Sequence, residues 1–289
     1  GNDVASLSST VVTNNSTVEI VQFGSDIDGE ATNDNSGSSV ALSENGTILA
    51  IGATGNDGNG LDSGHTRIYF WNPNNNAWVQ RGNDIDGEAA GDNSGSSIAL
   101  SSDGNIIAIG AQQNDGNGLS SGHTRIYQWD SDTNTWVQRG SDIDGEAAGD
   151  ERGNAVPFSS DGKSVAVGAW KNDGNGADSG HIRIYQWDSE NNSWIQRGSD
   201  INGEAAGDNS GFSVSLSADG NTVAIGATGN DGNGLDSGHT RIYQWNSDNN
   251  SWIQRGSDIN GEATGDESGY SVSLSADGNT VAIGATGND

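Results

Sequence analysis

Residues 96–140 read SSIALSSDGNIIAIGAQQNDGNGLSSGHTRIYQWDSDTNTWVQRG, and the alternation within them decides the fold. Four short runs, SSIALS (96–101), NIIAIGA (105–111), HTRIYQW (123–129) and TWVQRG (135–140), are rich in β-branched and aromatic side chains. Runs of four to eight such residues bounded by Gly, Asn and Asp are strands, and the segments between them leave no room for a helix. SSDG joins the first two and DSDTN the last two, both with the chemistry of tight turns. Successive side chains on a strand point to opposite faces. The third run therefore places Thr124, Ile126 and Gln128 on one face and Arg125, Tyr127 and Trp129 on the other. Bulk on both faces suits a sheet sandwiched between neighbours.

The stretch recurs. His65, His123, His181 and His239 lie 58 residues apart within GHTRIY or GHIRIY, and Asp26, Asp84, Asp142, Asp200 and Asp258 keep the same spacing within DIDGEA or DINGEA. A fixed long period marks a repeat architecture, and four antiparallel strands per period predict a propeller blade. A β-solenoid is the rival, although its coils are shorter. The expected fold is all-β, a single β-propeller domain over 1–289 with blade units at about 36–93, 94–151, 152–209 and 210–267. A fifth blade comes from 1–35 plus 268–289. There, TVVT and TVEIVQF within residues 1–23 align with the third and fourth strands, and 268–289 supplies the first and second. Two strands from each terminus then close the ring. The same half-units also fit a window on a longer array, or head-to-tail self-association between molecules.

The chain has 40 acidic and 11 basic residues, a formal net charge of −29, and no cysteine. Such a charge repels nucleic acid and anionic membrane surfaces, so neither a nucleic-acid partner nor membrane insertion is expected. No apolar run approaches the ~20 residues of a spanning helix. Low hydrophobicity with high charge is a disorder signature, but regular alternation in every unit rejects it. In a propeller, the loops NDGNGLDSG and DIDGEAAGDNSG share one face. They hold 29 of the 40 acids, so the charge is focused there.

The blade-to-blade loops carry the expected metal ligands. These are Asp26, Asp28, Glu30 and Asp34; Asp84, Asp86, Glu88 and Asp92; Asp142, Asp144, Glu146 and Asp150; Asp200, Asn202, Glu204 and Asp208; and Asp258, Asn260, Glu262 and Asp266. Calcium takes six to eight oxygens from alternating carboxylates and loop carbonyls, which this spacing can supply. The full D-x-[DN]-x-[DN]-G loop is absent, and the same acids would also serve as turn caps accepting backbone N–H groups. NDGNG reads first as an Asn/Gly turn.

On GSVSLS-type strands such as Gly211 followed by FSVSLS, AIGA ending at Ala227, and Gly238 followed by HTRIY, the unit resembles an FG-GAP repeat, the blade of the integrin α-subunit head. The resemblance covers all five units, weakly over residues 1–23. The sequence departs from the family pattern where G-A-P is expected, with Thr54, Gln112, Trp170, Thr228 and Thr286. The phenylalanine before the first-strand glycine is likewise replaced by Ser36, Ser94, Arg152, Ser210 and Ser268. The family's calcium loop lies between the first two strands, where this chain has only a short turn, so its metal residues are not carried over. The resemblance implies an extracellular or cell-surface binding or adhesion module without catalysis.

Other recurrent residues read as structural. The histidines enter a strand after Ser-Gly and are expected to donate between blades, with metal ligation as the alternative. Arginines such as Arg125 and Arg139 are expected to brace acidic loops by bidentate pairing. The Trp71/Trp78, Trp129/Trp136, Trp187/Trp194 and Trp245/Trp252 pairs are expected to pack, with sugar stacking as the alternative. The third unit breaks the pattern with Pro157 and with Arg152, Trp170 and Lys171, which would form one contact patch on the acidic face. Near-identical units spread like residues around a ring, whereas an active site needs unlike groups at one point. The expected function is therefore non-catalytic binding, adhesion or assembly of a protein or glycan ligand at the acidic face. A propeller lectin and a self-assembling filament subunit are the alternatives.

Overall fold

The structure, a computed structural model, describes residues 8–10 and 20–288. These form several antiparallel sheets without a helix, and hence without any helix long and apolar enough to cross a membrane. In the second unit, Ser97–Leu100 pairs with Ile106–Ala111, which pairs with His123–Asp130, which pairs with Thr135–Gln138. A two-residue strand, Ile143–Asp144, then pairs with His123 and Thr124. Two residues carry no readable period, so that fifth strand was not expected. The first and fourth units repeat this order from Ser36–Leu42 and from Ser210–Leu216.

The third unit lacks the first strand. Its sheet begins at Ser164–Ala169, preceded only by an isolated bridge from Phe158 to Val165. Pro157 sits in that segment and has no N–H to donate to a ladder. Its carbonyl still accepts from Ala166 N at 3.0 Å, so one direction of the pairing survives.

Ser8–Thr10 pairs with Ile20–Gln22, and Ser268–Leu274 pairs with Val281–Ala285, as two separate two-stranded sheets. Among the described residues no ladder joins them into the expected closing blade. The reading of residues 1–7 and 11–19, which holds most of TVVT and TVEIVQF, lies outside the described residues.

The core lies between sheets. Ile106, Ala108, Ile126 and Ile143 of the second unit pack with Val156, Val165 and Val167 of the third. Ile107, Ile109 and Tyr127 pack the other way, against Ala50, Ile68 and Ile85 of the first. The strand IIAIGA is thus apolar on both faces because each face meets a neighbour. Fully burying one such isoleucine stabilises the stack by about 1.5–3 kcal/mol. Backbone bonds repeat the same logic at the first hairpins, where Glu44 N donates to Ser102 O, Ser102 N to Ser160 O, Ser160 N to Ala218 O and Ala218 N to Ala276 O.

At the outer edge, Trp129 and Trp136 lie opposite each other with ring centroids 5.4 Å apart and edge-on. Arg81 of the preceding unit stacks on Trp129 at 4.6 Å and donates to Gly104 O and to Asn105 Oδ1, and Trp136 Nε1 returns a bond to Arg81 O at 2.8 Å. Arg139 and Arg197 stack in the same way on the next tryptophan pairs. The expectation that these arginines brace acidic loops is corrected. They are latches between units, stacked on tryptophan and bonded to a turn.

Candidate functional site

Each site is built where the third strand begins. Gly64 precedes His65 with φ of +73°, and a Cβ there would collide with the backbone of Ser94. That close crossing of two chain segments fixes the imidazole at the root of the sheet. His65, His123, His181 and His239 are all only 1% exposed.

Around each imidazole the structure gathers a glutamate from the loop before and an aspartate from the loop after. The groups are Glu30–His65–Asp84, Glu88–His123–Asp142, Glu146–His181–Asp200 and Glu204–His239–Asp258, with one candidate ligand atom from each residue lying within 4.8 Å of the others. In the first group His65 Nδ1 is 3.8 Å from both Glu30 Oε2 and Asp84 Oδ2. These clusters of acidic and histidine residues could hold a metal ion. The first opens into a cleft of ≈ 420 Å³, also lined by Asn56, Gly58 and Asp86.

Burial sets the protonation of the imidazoles. Desolvation is the largest cause of lowering in all four, and it brings His123 and His181 down to about 4. At neutral pH they are uncharged, so each ring keeps a lone pair on one of its two nitrogens. Desolvation, with Asp142, Asp92 and Asp144 adding to it, holds the Glu88 carboxyl above its ordinary range.

The remaining carboxylates of the blade-to-blade loops do other work. Asp34, Asp92, Asp150, Asp208 and Asp266 are buried and accept the backbone N–H of Ala31, Ala89, Ala147, Ala205 and Ala263. Asn56, Asn114 and Asn172 of the NDGNG turns donate to the first three of them. Asp28, Asp86 and Asn202 lend a backbone carbonyl to Arg67, Arg125 and Arg241, while Asp144 lends its own to Arg152. Asp26 accepts from Gln22, Asn260 pairs with His239 along the sheet, and Glu262 N bonds Asp266. Within a loop, then, the four acids diverge, and the clusters draw one acid from each of two loops.

For the histidines, sequence reasoning put metal ligation second. It read them as donors between blades, whereas each stands at the centre of a cluster. The signal was present in the shared period of Glu, His and Asp.

The three proposed patch residues separate. Arg152 is 1% exposed, which corrects its placement on a contact surface. Its guanidinium is long enough to turn inward, where it meets Asp144 O, Tyr185 Oη and His181 Nε2, each at 3.0 Å. Trp170 packs edge-on against Phe212 at 5.5 Å, and Lys171 Nζ sits 4.5 Å from the Trp170 ring centre and 2.6 Å from Glu151.

Solved structures with a similar fold include the periplasmic gluconolactonase of Pseudomonas aeruginosa, at a TM-score of 0.58 and 15% identity over 84% of this chain and 63% of that one. Putative 6-phosphogluconolactonases of Bacteroides uniformis and Bacteroides fragilis follow at TM-scores of 0.53 and 0.54 and identities of 12% and 9%. They cover 96% and 95% of this chain and 67% and 66% of theirs. The chain thus spans about two thirds of the length of the structures it resembles. No curated protein sequence matches it. At such identities the likeness shows the fold, a propeller-like stack of sheets.

The comparison corrects the expected function. A non-catalytic binding, adhesion or assembly module, with its lectin and filament alternatives, was expected because near-identical units spread like residues around a ring, whereas the structures of similar fold are named as lactonases. The supporting argument fails on geometry as well, because each unit converges unlike groups, Glu, His, Asp and Arg, on one point. By sequence, the model of the FG-GAP repeat matches residues 26–69 and 202–243. The chain carries FG-GAP repeats in these two stretches, as its strand and turn motifs imply.

Proposed function

We propose that the protein is a metal-assisted hydrolase of cyclic sugar esters, with the Glu–His–Asp clusters as its cation sites. The observation that carries this reading is the convergence of a buried imidazole and two carboxylates, which in the first unit open into a cleft. That structures of similar fold are named as lactonases supports the substrate class. Carboxylates alone suit calcium, but an imidazole nitrogen in every cluster favours a cation of mixed oxygen and nitrogen preference such as Mn²⁺ or Zn²⁺.

A cation bound there supplies Lewis-acid polarisation of a carbonyl and a water of lowered pKa. The chain's own groups do the rest. Asp86, which lines the cleft without belonging to the Glu30–His65–Asp84 cluster, accepts a proton from the attacking water. The water oxygen bonds the lactone carbonyl carbon, the ring C–O bond breaks, and the released ring oxygen takes back that proton from Asp86 to give an open hydroxy acid.

Units 36–93, 94–151, 152–209 and 210–267 are read as blades of one propeller domain, and the substrate enters from the acidic loop face. A secreted or periplasmic location fits the acidic composition and the periplasmic source of one structure of similar fold. The test follows acid release from glucono-δ-lactone in a pH-stat, with Mn²⁺ and then with chelator. Rates above the spontaneous hydrolysis that collapse on chelation are expected. A rate equal to the spontaneous one in both conditions would sink the reading.

A further inference from the structure

The four clusters are alike in composition but not in charge. In the first, second and fourth units, one arginine enters a slot beneath the cluster. Arg67, Arg125 and Arg241 donate to the carbonyls of Asp28, Asp86 and Asn202, with the guanidinium 5.6–5.8 Å from the ring of Tyr69, Tyr127 and Tyr243. Each reaches its glutamate only at 3.5–3.7 Å, and Asp84, Asp142 and Asp258 meet no guanidinium. Two carboxylates against one guanidinium leave a net negative charge beside the imidazole.

In the third unit a second arginine intervenes. Arg152, where the other units have Ser36, Ser94 or Ser210, takes the slot and donates to Asp144 O, the counterpart of the carbonyls that hold Arg67, Arg125 and Arg241. Arg183 is displaced outward and lies between the two acids of the cluster. Its Nε and Nη2 are each 2.7 Å from Asp200, and its Nη2 is 2.5 Å from Glu146. The acids that face an uncovered imidazole in the other units are here bridged by a fixed cation of the protein itself.

The imidazole is altered too. Guanidinium only donates, so His181 Nε2, 3.0 Å from Arg152 Nη2, accepts. The ring's own proton then sits on Nδ1, the nitrogen that faces Glu146 at 3.9 Å. That nitrogen has no lone pair to offer a metal. His239, by contrast, is 1% exposed, and its Nδ1, 3.9 Å from Glu204, is buried without a hydrogen-bond partner.

We propose that the protein loads three divalent cations and not four, because Arg183, displaced by Arg152, permanently replaces the cation of the third cluster. This rests on the metal reading above. The chain has four histidines, so four such sites are the ceiling. Arg152→Ser removes the intruder, returns Arg183 to the slot that Arg125 fills in the second unit, and opens the fourth site. Ser94→Arg makes the reverse change in the second unit.

The experiment is isothermal titration with Mn²⁺ at high ionic strength, which screens the diffuse acidic surface. Far-UV circular dichroism checks that each variant is folded. The expected tight-site counts are three for the wild type, four for Arg152→Ser and two for Ser94→Arg. A wild-type count of four, or counts that do not move in a folded variant, overturns the replacement while leaving the metal reading intact. A wild-type count of zero removes the metal reading and this inference together. Where one variant does not fold, the wild-type count and the other variant decide.

Discussion

The second and third units bury the same slot beneath the same imidazole, yet fill it from different directions. Arg125 reaches it from the strand that carries His123, whereas Arg152 reaches it from the loop before and leaves Arg183 free to pair with acid. The consequence is redundancy. The third unit has two guanidiniums for one buried position, and the second has one. A single residue therefore carries very different weight in two units that are almost identical in sequence.

That asymmetry breaks most visibly on truncation. Arg125→Met leaves the slot empty and the carbonyl of Asp86 without its donor, and a loss of about 3–5 kcal/mol in urea unfolding is expected. Arg183→Met leaves Arg152 in place and removes only a partly exposed pair, so a loss of about 1 kcal/mol is expected. Equal losses would erase the distinction between the units.

Acid sharpens the comparison next. His123 and His181 both have folded pKa values near 4, below the unfolded value of 6.5. Between those values the unfolded chain binds more protons, so the stability present above pH 6.5 is lost as pH falls toward 4. The expected loss is roughly 3 kcal/mol per imidazole, read from unfolding curves across that range. The causes differ after burial, which is first in both. Arg125 is next for His123, and Arg152 is next for His181. In Arg152→Ser the His181 midpoint, followed by NMR, is expected to rise while that of His123 stays in place.

The smallest effect concerns the missing strand. Pro157→Ala restores an N–H where the second unit has Ala99, and a gain of roughly 0.5–1.5 kcal/mol is expected if the ladder forms. Hydrogen-exchange protection spreading across residues 155–158 reports it. An unprotected segment would show that the third unit's first strand is lost for reasons beyond proline.

Much of this architecture was legible because it repeats. The 58-residue period and the alternation in IIAIGA and HTRIYQW place the long strands to within two residues at either end. Ile143–Asp144 escaped because two residues have no period, and the failure of the third unit's first strand was foreshadowed only by Pro157. The clusters were harder to see. Glu88 precedes His123 by 35 residues and Asp142 follows by 19, across loops whose paths local sequence does not reveal. Reading the four acids of one loop as a single ligand set followed their closeness in sequence, while the fold separates them and joins acids of successive loops. Arg152 was correctly singled out as a break in the pattern. Its inward course was invisible because a long cation among acids reads as surface until the neighbouring Arg183 is seen to have left its slot.

The bonds between first hairpins run in one direction, each unit donating to the unit that follows it. A unit spliced between any two others would meet an acceptor on one side and a donor on the other, with apolar faces matching on both. Duplication or deletion of a whole unit therefore keeps the donor–acceptor match at these hairpin bonds. Growth by copying is open to this chain at these hairpin bonds, and a change such as Arg152 can then rearrange one copy's cluster without touching the rest.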